Sequence, residues 1–250
     1  MVLEYIPVKN KLHLFLSSSL TTSLSLIISY FILPSNIGIS SSFLITIALT
    51  PFLVMYFKEK VKIIHKKEKD IIEKYRDAFE VYASIFLGIL ATFLLIQHII
   101  PSNLQQSIFL DYLNEIKRIR GSFIGENTFT KIFFNNIIVL FLIFLLSLVY
   151  GSASLFIISW NAGVLATAIT LSTNQNILLI PLYSLFYLPH GSLEFLAYFI
   201  VAVAGSVIYV SLRRKDFKEI FVDCFLLLVL SIAILFSAAF VEVILIITTR

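Results

Sequence analysis

Long apolar runs, each about the length of a bilayer-spanning helix, recur from one end of the chain to the other, and charge gathers in the short stretches between them. Seven such runs are predicted as membrane-crossing helices, at 12–33, 37–57, 78–99, 134–158, 160–183, 187–211 and 221–247. Their lengths suit a hydrocarbon layer ~30 Å thick at ~1.5 Å of helix rise per residue. A β-barrel would instead show short strands alternating apolar and polar positions, and a soluble domain would need one core to absorb nearly every segment. The pattern therefore predicts an all-α, polytopic helical membrane protein with about seven transmembrane helices, some of them interrupted.

Two longer connections carry their own periodicity. Segment 58–77 places Val61, Ile64, Ile71, Ile72 and Tyr75 on one helical face, with Asp70 and Lys74 spaced i,i+4 on another. It is expected to be a charged helix at the cytoplasmic surface. Segment 101–133 shows a stripe of Leu104, Ile108, Tyr112, Ile116 and Ile119, then a break at Gly121 and a helix N-cap at Asn127. That is the pattern of an amphipathic helix at the outer interface, a natural meeting place for an extracellular partner. These features divide the chain into a two-helix extension (1–57), the charged helix (58–77) and a five-helix core (78–250).

Composition agrees: 59% of the 250 residues are hydrophobic and 14% charged, with a mean hydropathy of +0.96. The formal charge of +4 does not point to nucleic acid, because the basic residues sit between apolar runs, where they set topology and meet anionic headgroups. Segment 58–77 holds eight Lys/Arg and the stretch near Arg213 four more. With both in the cytoplasm, seven crossings put the N-terminus inside and the C-terminus outside. A re-entrant hairpin over 160–187 would reverse Arg213. Lys9 and Lys11 precede the first run, which is longer than a signal-peptide core and reads as an uncleaved anchor. The single cysteine, Cys224, lies within an apolar run and offers neither a disulfide nor a cysteine metal cluster. Few glycines and much Ile, Ser and Lys suit an archaeal chain.

Polar residues interrupt the apolar runs at a few places. Asn135 and Asn136 stand at the start of the fourth run, Asn161 and Gly163 at the junction of the fourth and fifth, and Pro189-His190-Gly191 in the sixth. Gly163, Pro189 and Gly191 are expected helix breaks, whose freed backbone groups a bilayer tolerates only inside protein or beside water. His190 and Glu194 are one turn apart on one face, and Glu242 is an acid deep in the last run. Together His190, Glu194, Glu242, Asn135, Asn136 and Asn161 are the candidate site. Three readings compete: a hydrogen-bonded knot that fixes helix packing, a proton or substrate path, or a metal site with His and Glu ligands. No nucleotide, zinc-protease or CxxC motif is present, and no cofactor is predicted.

The order of these motifs resembles the stage II sporulation protein M family: Phe86-Leu87-Gly88, then Phe133 to Asn136, Asn161 to Gly163, Pro189 to Glu194 and a last-span Glu242. The resemblance covers about residues 78–250, and the P-H-G-x-x-E element is its most specific part. Ala162 occupies a position that the family pattern gives to glycine. The resemblance implies a five-helix membrane core with its N-terminus inside. It also implies a relation to a membrane scaffold that holds peptidoglycan-degrading enzymes at the septum of endospore-forming bacteria. Relatives occur in organisms that neither sporulate nor have peptidoglycan, so that role is not carried over. The function expected is a non-enzymatic scaffold or anchor in the cell membrane. Its partners would be the lipid bilayer, membrane or extracellular proteins and a possible second copy of itself. Transport of an ion or small amphiphile past the Glu and His residues is the alternative, and an intramembrane metal-dependent enzyme the third.

Overall fold

A computed structural model describes residues 10–64, 70–122, 128–212 and 217–248. Nine α-helices occur among them and no strand. They are α1 (Lys11–Ile32), α2 (Ile37–Ile64), α3 (Ile71–Ile99), α4 (Ser102–Ile108), α5 (Leu110–Ser122), α6 (Thr128–Tyr150), α7 (Leu155–Ser172), α8 (Ile180–Ser211) and α9 (Phe217–Thr248). Seven spans are long and apolar enough to cross a membrane, and α4 and α5 are the two helices that are not.

α8 is the central helix. From Ala197 to Ile208 every side chain is buried, wrapped by α9 and α6 with α2 and α3 behind. Small residues set how closely the helices approach, as expected where no water drives association. A Cβ on Gly205 of α8 would lie 2.5 Å from the Ser147 Cβ of α6, and one on Gly88 of α3 would lie 2.4 Å from the Phe15 carbonyl of α1. Ser19 of α1 also donates to the Gly88 carbonyl at 3.2 Å.

Charged residues collect at one end of the bundle. Glu80 pairs with Lys11 at 2.5 Å and Arg76 at 3.0 Å, Lys60 pairs with Asp77 at 2.7 Å, and Asp223 bonds Lys74 and Tyr75. The starts of α1, α3 and α9 and the end of α2 therefore share this end, and α9 finishes at the other. Such pairs, when exposed, contribute little stability. Their value is in locating the interface.

Four expectations change. The 58–77 helix is not a separate element: 58–64 prolong α2 and 71–77 begin α3, with 65–69 outside the described residues. Val61 and Tyr75 are fully buried, while Ile72 is exposed. The outer stripe forms two helices, divided at the buried Phe109, and α5 packs on α2 and α7. Its Tyr112 is driven inward against Phe93, Phe109 and Trp160, while Asp111 accepts from the Gly38 N–H at 2.9 Å and so caps α2. Burial pushes the Tyr112 hydroxyl up to about 12, so it remains a donor, to the Gly38 carbonyl at 3.1 Å. α5 also continues through Gly121, and Asn127 lies outside the described residues.

The third change concerns Gly163, Pro189 and Gly191, which are all inside unbroken helices. Proline removes one donor, but an apolar medium offers nothing better to the neighbouring backbone than the helix itself. Gly163 instead makes room: a Cβ there would lie 2.4 Å from the Tyr112 ring. Fourth, the junction expected near 159 falls at Gly151, whose φ of +68° suits glycine. A short 3-10 turn, Ser152–Ser154, follows it. The next turn, ahead of α8, holds Asn174 and Gln175 at φ 48° and 66°.

Candidate functional site

Three helices meet at a carboxyl pair. Glu194 is near the middle of α8 and Asn136 in the first half of α6, while Glu242 is in the last third of α9. The Asn136 Nδ2 donates to Glu194 Oε1 at 2.5 Å, and the Asn135 Nδ2 donates to the side-chain Oδ1 of Asn136 at 3.2 Å. The Glu242 carboxyl of α9 lies beside that of Glu194. By helix rise, the group lies roughly 12 Å in from the start of α6 and 9 Å from the end of α9. That is the half of the bundle away from the charged end.

The remaining candidates are not drawn into this group. His190 is one turn from Glu194 with its ring 6.2 Å from that of Tyr187, and its buried Nδ1 has no hydrogen-bond partner. Asn161 donates to the Ile157 carbonyl of its own helix at 2.8 Å. Gly191 borders an apolar crevice of about 250 Å³ between α3, α7 and α8, where a Cβ would meet nothing within 4 Å. Among the described residues, no three His, Cys, Asp or Glu side chains are grouped as a metal site would need. The expected cluster of six residues is thus a group of four: Asn135, Asn136, Glu194 and Glu242.

Residues 42–245 match the model of the stage II sporulation protein M family. The chain belongs to that family. The match begins within α2, well before the 78–250 core expected from the motifs, and α2 packs on α7 and α8 inside the bundle. Curated proteins and solved structures yielded no match. Family and helices together make this a multi-pass membrane protein.

A second polar group carries no ionisable acid and escaped the sequence reading. Tyr82 of α3, fully buried, points its hydroxyl at Ser206 of α8 (3.2 Å) and Ser154 of the 3-10 turn (3.4 Å). Ser147 and Ser152 flank the same hydroxyl. All four serines are fully buried, and they surround the break at Gly151. A scatter of single serines gives no sequence signal, since serine is common in membrane helices and usually bonds to its own backbone. The one available cue was Gly151 between two runs of serine-bearing apolar sequence.

Proposed function

We propose that this chain is a non-enzymatic membrane scaffold, whose bundle is held in one packing by the Asn136–Glu194–Glu242 clasp. The observation that carries the reading is the Asn136–Glu194 hydrogen bond that joins α6 to α8, with Glu242 of α9 beside it. A transport site would need groups that exchange their partners for a passing ion, whereas a clasp needs them occupied. Interhelical bonds of this kind contribute modestly, about 0.6 to 1.7 kcal/mol each, yet they select one register among many apolar alternatives. The orientation proposed, N-terminus cytoplasmic and C-terminus outside, is supported by the basic residues gathered at one end of the bundle. α4 and α5 would then face outward and offer the surface for an extracellular or membrane partner.

Purified protein in detergent and in proteoliposomes tests this. Glu194→Gln and Glu242→Gln should lower the thermal midpoint, and the native protein should drive no proton flux. Flux that Glu194→Gln abolishes without changing the midpoint would replace the scaffold by a transporter.

A further inference from the structure

The buried serines around Gly151 do more than fill space. We propose that they form, with Tyr82, a binding site for a sodium ion at the break between α6 and α7.

Six oxygens converge there: Tyr82 Oη, the Oγ atoms of Ser147, Ser152, Ser154 and Ser206, and the Gly151 carbonyl. Ser147 and Ser152 are fully buried and their hydroxyls have no hydrogen-bond partner. Leaving a buried hydroxyl unmatched costs about 1–3 kcal/mol, so two of them around the Tyr82 hydroxyl point to a ligand. The Ser206 hydroxyl proton is already committed, to the Ala202 carbonyl at 2.7 Å. Its lone pairs remain free, and the Gly151 carbonyl, 3.3 Å from the same hydroxyl, takes the first N–H of the 3-10 turn and keeps its second lone pair for a ligand.

Spacing separates a cation shell from a hydroxyl network. Hydroxyls bonded directly to each other sit ~2.7–2.8 Å apart. Oxygens that share an octahedral ion of calcium's size, with ~2.4 Å metal–oxygen bonds, sit ~3.4 Å apart. The distances here are 3.4, 3.2 and 3.3 Å. Sodium has nearly calcium's radius and half its charge, and six neutral oxygens without a carboxylate suit a single charge. The last turn of α6 adds carbonyls with no helical donor, the negative end of its dipole. The close α6–α8 contact at Gly205, 2.5 Å from a would-be Cβ to Ser147, leaves no slack to expand the shell for potassium.

The test is the thermal midpoint of the full chain in detergent as sodium chloride replaces choline chloride at constant ionic strength. A midpoint that climbs with sodium and less with potassium is expected, since a ligand of the folded state stabilises it by mass action. Ser152→Ala should weaken the apparent sodium affinity by about tenfold or more, while Glu194→Gln, in the other polar group, should leave it unchanged. Identical midpoints in sodium and choline, or an undiminished response in Ser152→Ala, would overturn the site and leave the serines bridged by water. Should Ser152→Ala fail to fold, saturable binding of radioactive sodium to the native protein decides. Binding that choline does not displace supports the site, and its lack refutes it.

Discussion

The two polar groups of this bundle solve opposite problems. In the group around Glu194, ionisable and amide side chains tie three intact helices together through contacts as short as 2.5 Å, and all four residues keep partial exposure. Around Tyr82, only hydroxyls gather, all fully buried, where the backbone itself comes apart at Gly151. Side chains that tolerate charge are used toward the start of α6 and the end of α9. Neutral oxygens are used where every side chain of the group is fully buried and no water relieves a charge. The first group resists sliding of helices past one another; the second makes a broken helix tolerable.

The largest effect should come from the contact that closes the inner group. Gly205→Val places a Cβ 2.5 Å from Ser147 and 2.9 Å from the Phe144 carbonyl, and backbone cannot step aside. Overpacking of this kind costs about 3 kcal/mol, read as a large drop in thermal midpoint. A midpoint equal to the native one would mean that α6 and α8 do not touch there. Glu194→Ala comes next. It leaves Asn136 and Glu242 without their shared partner, at about 2 kcal/mol, whereas Glu194→Gln keeps an acceptor for Asn136 and should lose less. A double-mutant cycle of Asn136→Leu with Glu194→Gln isolates the clasp: additive losses would dissolve it.

The contrast also explains what the sequence could tell. Seven spans and their class were legible because long apolar runs admit only helices in a bilayer. Glu194, Asn136 and Glu242 stood out because an acid or amide in such a run is rare. His190 and Asn161 stood out for the same reason, but whether a side chain meets its neighbour depends on helix rotation and depth, which spacing within one helix does not encode. Pro189 and Gly163 misled, since both read as breaks by propensities that an apolar surrounding overrides. Gly163 serves Tyr112, which lies fifty-one positions before it and can be paired with it only in three dimensions. The true break at Gly151 was hidden by its apolar flanks.

Smaller changes probe the inner group without prising helices apart. Tyr82→Phe removes the hydroxyl that faces all four serines but preserves the ring packed on Phe57 and Phe199. Because its bonds to Ser154 and Ser206 are long, the loss in choline chloride should be about 0.5–1 kcal/mol, less than for Glu194→Ala. A larger loss would mean that the hydroxyl does as much as the clasp and that the two groups are alike.

Ser152→Ala should be the mildest of all in the same sodium-free buffer. Its hydroxyl has no partner there, so deletion removes an unmet donor and leaves a methyl of nearly the same shape, with a change within about 0.5 kcal/mol. The native protein should then overtake the variant as sodium is added. A variant that is strongly destabilised even without sodium would place Ser152 among fixed bonds, like Asn136, and erase the distinction between a clasp that is satisfied by protein and a cradle that is not.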